Sequence, residues 1–151
     1  MSAGKNQRFF YFKTSDAIGV HEWIIENSGG LAGVKNAGQI DSSLTHIQND
    51  EYYPELEDKL THLVFSINKS HAFNDGNKRA SITLGAYFLE LNGFDYMVKL
   101  FVKEMENIAV AIATGTVTKE ELGQIIYEIL YEDDYSESIK LLILRATQDL
   151  A

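Results

Sequence analysis

A chain of 151 residues with 45% hydrophobic and 23% charged residues suits one soluble domain, and no apolar run approaches the roughly 20 residues of a membrane span. The net charge of −9, with basic residues scattered except at Lys78 and Arg79, argues against a nucleic-acid binder and leaves room for a small anionic ligand. There is no cysteine and no secretory-type leader in "MSAGKNQRFFYFK", which excludes disulfides and cysteine metal sites and fits a cytoplasmic protein.

In chain order the elements are mostly helical. The first helix is expected from about Ser15 to Asn27, with Thr14, Ser15 and Asp16 as cap residues and Ile18, Trp23, Ile24 and Ile25 as apolar surface. "NSGGLAGVKNAG" then interrupts, its glycines suiting turns or a short hairpin. A short helix follows from about Gln39 to Ile47. Pro54 marks a helix start, and Leu56, Leu60, Leu63, Val64 and Ile67 give that helix one buried face ending near Ser70. "ASITLGAYFLELNG" is apolar nearly all round, which predicts a buried central helix stopped by Asn92 and Gly93. A helix over about Val98 to Thr114 stops at Gly115. "TKEE" from Thr118 is a capping box opening the next helix, and after the acidic break "YEDDYSES" the segment "SIKLLILRATQDL" forms a last one.

Between the buried-face helix and the central helix lies "HAFNDGNKR", His71 to Arg79. A helix start carries unpaired N–H groups and the positive end of the dipole, a ready phosphate site. Gly76 lets backbone approach a ligand, and Asn77 can cap the helix or donate its amide to phosphate. Lys78 and Arg79 could hold phosphate groups, and Asn74 lies in the same turn. Asp75 offers a hard carboxylate suited to Mg²⁺. Histidine ordinarily titrates near neutrality, so His71 could take a proton from a hydroxyl. Phe73 is expected to anchor the loop in the core. Each part alone is commonplace: a surface histidine, an Asn-Asp-Gly-Asn turn, a solvated acid, a surface basic pair. Their joint occurrence at a helix start favours a site for transfer from a nucleotide. His21, His46 and His62 have no partner histidine at metal-ligand spacing, so no zinc site is expected. Glu132 to Asp134 is expected to be a solvated face.

The nine residues resemble the signature of the Fic/Doc family, His-x-Phe-x-Asp/Glu-Gly-Asn-Gly/Lys-Arg, with every defined position filled. "GGLAGVKNAGQIDSSL", "FLELNGF" and "ENIAVAIATGTVTKEELGQII" resemble the Doc (death-on-curing) branch, and the likeness covers about residues 9–126. Residues 127–151 have no counterpart in the family core. The resemblance implies a single all-α domain over residues 1–151, with the motif loop leading into the central helix. It implies that His71 deprotonates a target hydroxyl and that Asp75 holds a nucleotide-bound magnesium ion. Gly76 and Asn77 would form an anion hole, Arg79 would contact phosphate, and Asn74 and Lys78 would complete the nucleotide contacts.

Lysine at the eighth motif position is the Doc-type residue, which implies an ATP-dependent kinase acting on a Ser or Thr hydroxyl of a target such as a translation elongation factor. A glycine there goes with nucleotidyl transfer (AMPylation), the second reading. A non-catalytic helical interaction module is the third, and a DNA-binding regulator suffers from the −9 charge. The family's inhibitory pattern, Ser/Thr-x-x-x-Glu-Gly/Asn, is not met at Glu26–Asn27 or Glu106–Asn107, because Glu22 and Val102 occupy the first position. Restraint would then come from a separate antitoxin chain. Residues 28–38 read either as a flap that pairs with an extended target segment or as a plain surface loop.

Overall fold

The computed structural model describes residues 8–148. Seven α-helices make it up: α1 Thr14–Ser28, α2 Ala37–His46, α3 Leu56–Ser70, α4 Asn77–Leu91, α5 Val98–Thr114, α6 Lys119–Tyr131 and α7 Glu137–Thr147. A 3-10 turn, Asp95–Met97, joins α4 to α5. No strand occurs among the described residues, so the fold is all-α as expected. None of these helices is long and apolar enough to cross a membrane.

Local chemistry sets most of the boundaries. Helix α6 opens on the Thr118 capping box: the Thr118 hydroxyl accepts from the Glu121 N–H (3.1 Å) and the Glu121 carboxylate from the Thr118 N–H (3.0 Å). Gly115 closes α5 in the left-handed conformation at φ +83°. Several starts differ from expectation, and α2 opens at Ala37 rather than at about Gln39. Helix α1 is capped one residue earlier, where the Lys13 N–H donates to the Asp16 carboxylate (2.9 Å). Helix α3 begins two residues after Pro54, with the Glu55 N–H donating to Asp58 Oδ2 (3.1 Å). The last helix ends at Thr147; Asp149 and Leu150, also expected to be helical, lie outside the described residues.

The buried apolar residues form one cluster around α3 and α4, which pack on each other. Helix α3 also touches α2, α5 and α6, while α4 also touches α1 and α5. Burial of α3 is wider than its apolar stripe, because Lys59, Thr61, His62 and Asn68 are buried too. The Lys59 ammonium is satisfied inside, donating to the Ile47 carbonyl (2.7 Å) and to Asp50 (2.6 Å), and so ties α3 to the end of α2. Gly85 allows the close crossing of α4 with its neighbours: a methyl there would lie 2.9 Å from both the Phe101 ring and Val64. At the far end of α3, Asn68 donates to the Ala109 carbonyl (3.0 Å) and Lys69 to the Ile112 carbonyl (3.2 Å). The end of α3, and with it the α3–α4 loop, is thereby fixed on α5.

Candidate active site

His71 ends α3, in the left-handed conformation at φ +54°, ψ +37°. It is the one non-glycine residue with positive φ among those described, and it is exposed. The next two residues turn inward: Ala72 is fully buried and Phe73 is 1% exposed, the anchor expected of it. The chain then rises through exposed Asn74 and half-buried Asp75 to Gly76, left-handed at φ +74°, and enters α4 at Asn77.

No side chain caps the start of α4. Asn77 had been expected to cap the helix or to reach phosphate with its amide; the fold uses that amide elsewhere. Its Oδ1 accepts from the Phe73 N–H (3.1 Å) and its Nδ2 donates to the Phe73 carbonyl (3.0 Å), which pins the loop to the first turn of α4. Among the described residues no group accepts from the Asn77, Lys78 or Arg79 backbone N–H. Lys78 is exposed and its ammonium has no ion-pair or hydrogen-bond partner among the described residues. Arg79 spends one N–H on the Gly29 carbonyl (3.3 Å) and keeps the rest of its donors.

Asp75 is held ionised. The Leu31 N–H, donating to Oδ2 at 3.1 Å, holds its carboxyl below the usual range; the Gly76 N–H, donating to Oδ1 at 2.8 Å, and the Arg79 charge act in the same sense. Leu31, the backbone donor from beyond the motif, belongs to the glycine-rich stretch. That stretch forms turns rather than a hairpin, and a single antiparallel bridge joins Val34 to Phe73. The Lys35 and Asn36 N–H groups donate to the Ala72 carbonyl (2.7 and 2.9 Å). Asn74 joins the two loops, donating from Nδ2 to the Ala32 carbonyl (3.0 Å) and from its N–H to the Gly33 carbonyl (3.1 Å). Glycine is required where they meet: a Cβ on Gly30, at φ +116°, would lie 2.6 Å from Asp75 Oδ2.

All seven candidate residues therefore lie on one loop and one helix turn, braced by residues 28–36. One neighbour lacked any signal in the sequence. His21, on α1, is 1% exposed, stacks on Phe73 with ring centroids 3.9 Å apart, and meets the Asp75 carbonyl at 2.6 Å. Its spacing to the motif is too long for any local pattern to show it. His46 and His62 also turn out to be partners, Nδ1 to Nε2 at 3.3 Å, away from the motif. A surface groove of about 740 Å³ runs past Tyr53, Thr61, Lys119 and Tyr127 and holds no motif residue. The candidate site thus rests on its chemistry, not on cavity size.

Comparison with known proteins supports the same region. The chain is 29% identical to the "Protein kinase doc" of Escherichia phage P1, over 72% of this chain and 86% of that protein. It is 32% identical to the "Toxin Doc" of Mycolicibacterium smegmatis, over 57% of this chain and 69% of that one. The model of the Fic/DOC family matches residues 11–89, more than half of the chain, all of the motif, the helix before it and most of the helix after it, and the chain belongs to that family.

Proposed function

We propose that this chain is the toxin of a toxin–antitoxin pair, a Doc-type kinase that moves the γ-phosphate of ATP to a Ser or Thr hydroxyl of a target protein. The observation that carries the reading is the meeting of exposed His71, ionised Asp75 and an uncapped helix start bearing Lys78 and Arg79. The names of the relatives, a protein kinase and a toxin, support it. Residues 9–126 would form the catalytic core, with α7 added to it by packing on α5.

The chemistry follows from the parts. Neutral His71 takes the proton of the target hydroxyl as its oxygen bonds to the γ-phosphorus. The bond from that phosphorus to the bridging oxygen breaks, and ADP leaves with the electron pair. The unpaired backbone N–H groups at the start of α4, those of Asn77 and Lys78, would receive phosphate oxygens, with Arg79 supplying a two-pronged donor. The Lys78 ammonium, free of partners, adds a charge to the cradle that a glycine would not, which favours the kinase pose over nucleotidyl transfer. Asp75 fits a magnesium ion, being a hard, ionised carboxylate at the cradle's edge; when bound, the ion supplies charge neutralisation of the phosphates. Residues 28–38, bonded to the motif loop through Val34 and Ala32, would act as the flap that lays a target segment beside His71. A separate antitoxin would restrain the enzyme.

Two labelled ATPs test the reading, one carrying label on the γ-phosphate and one on the α-phosphate. Purified protein and a His71→Ala control are incubated with bacterial lysate and Mg²⁺. A band labelled from γ alone and absent with the control is expected. A band labelled from α would replace the kinase reading with nucleotidyl transfer, and no His71-dependent band from either would remove both.

A further inference from the structure

We propose that His21 is a positioning residue for the phosphate cradle, holding the Asp75–Gly76 peptide so that its N–H side, not its carbonyl, faces the nucleotide. The proposal rests on the reading of the α4 start as a phosphate site. It adds a residue from α1, outside the motif, to that machinery.

The geometry is specific. A carbonyl oxygen can only accept, so His21 must carry its proton on Nε2 to make the 2.6 Å contact with Asp75. Among the described residues no other group donates to that carbonyl. In a trans peptide the N–H points opposite to the carbonyl. With the oxygen drawn down toward α1, the Gly76 N–H is turned away from α1, where it meets Asp75 Oδ1 at 2.8 Å. The peptide is therefore clamped on both sides, by His21 below and by the Asp75 carboxylate above.

Gly76 makes the clamp necessary. A glycine at φ +74° has an open backbone landscape, and rotation of the preceding peptide is the cheap alternative there. The rotated peptide would aim a carbonyl dipole at the phosphates and would take the Gly76 N–H away from the Asp75 carboxylate that it orients. The His21 ring cannot drift from its post, because it is buried against Phe73 at 3.9 Å with the planes 7° apart. It also lies close beneath the turn: a Cβ on Gly76 would come 3.5 Å from His21 Nε2. Phe73 is in turn held by the Asn77 amide. One buried ring thus connects α1, the loop and the first turn of α4.

Two substitutions separate positioning from packing. His21→Phe keeps the stacked ring and removes the donor. His21→Gln keeps a donor at the same reach and removes the ring. Wild type and both variants are compared for kcat and KM in the labelled transfer assay, for Mg·ATP affinity by titration calorimetry, and for thermal midpoint. For His21→Phe, kcat is expected to fall about a hundredfold and Mg·ATP affinity about tenfold, with the midpoint little changed. His21→Gln is expected to stay within about threefold of wild type on both. Equal loss in the two variants, or loss in the glutamine variant alone, would assign His21 to packing and overturn the proposal. A wild type that neither binds Mg·ATP nor transfers label would instead bring down the functional reading, and the positioning role with it.

Discussion

At the scale of single residues, the most informative feature is the backbone of His71. A side chain in the left-handed region costs roughly 1–2 kcal/mol relative to its ordinary conformation, and glycine escapes that cost at about 0.5–1 kcal/mol of extra chain entropy. His71 occupies that region at φ +54° while exposed and without a hydrogen-bond partner among the described residues, so its side chain contributes little to the fold that would offset the strain. Strain retained at an exposed position points to a use for the side chain. His71→Gly should therefore leave the protein as stable as wild type or more stable by up to about 1 kcal/mol, while abolishing label transfer. Urea unfolding followed by circular dichroism, beside the transfer assay, checks both halves. A variant that loses stability would show that the imidazole supports the fold, and the argument from strain would fail.

At the scale of elements, Gly85 decides how closely α4 can approach α3 and α5. Its missing methyl is the space filled by Val64 from α3 and Phe101 from α5, each 2.9 Å from where a Cβ would stand. Alanine would gain roughly 1 kcal/mol of helix propensity but would force the two neighbours apart, an overpacking cost of about 1–3 kcal/mol. Gly85→Ala should therefore come out near neutral to about 2 kcal/mol less stable, and Gly85→Val clearly worse, in the same urea titration. A stabilised alanine variant would mean that the three helices relax at no cost. Helix ends, unlike this crossing, were legible beforehand. The Thr118 box and the Gly115 stop are local chemistry, readable within four residues. The site motif was legible for the same reason, being nine residues long. The bracing of Asp75 by Leu31 and of Arg79 by Gly29 was not, because those contacts span 44 and 50 positions and exist only once α1, its following loop and α4 have packed. The use of the Asn77 amide on Phe73, rather than as a helix cap, was not legible either, because sequence shows its type and place while the Phe73 backbone is set by the turn.

At the scale of the whole molecule, buried His62, whose pairing with His46 sequence spacing concealed, makes stability depend on pH. His62, 9% exposed in the middle of α3, has its pKa pushed down to about 4, mainly by burial and further by the charges of Lys119 and His46. Lys119 Nζ lies 2.7 Å from His62 Nδ1, the Tyr53 hydroxyl lies 3.1 Å from the same atom, and His46 Nδ1 is 3.3 Å from Nε2. An ammonium that close can only donate, so the fold requires His62 Nδ1 to be free of a proton. In the unfolded chain the same imidazole takes its proton near pH 6.5. Between those two values the unfolded state binds more protons than the native one, so stability is full above about pH 6.5 and falls as the pH drops toward 4. The loss has a ceiling of about 3 kcal/mol over that window, a large share of the stability of a domain this size. His62→Gln removes the titration and keeps polar contacts for Lys119 and Tyr53. Chemical unfolding at pH 7.5, 6.0, 5.0 and 4.5 should show wild type losing more stability than the variant across the acid steps, with the gap opening from about pH 6.5 downward. Parallel curves would mean that a proton on His62 is accommodated by movement of Lys119 out of the cluster. Because His62 and His71 share one helix, acid loss of the α3 packing would also release the motif loop from its anchor on α5. Transfer should then fall in step with unfolding at low pH in the wild type and persist to lower pH in the glutamine variant, a difference that titration of a catalytic group common to both proteins would not produce.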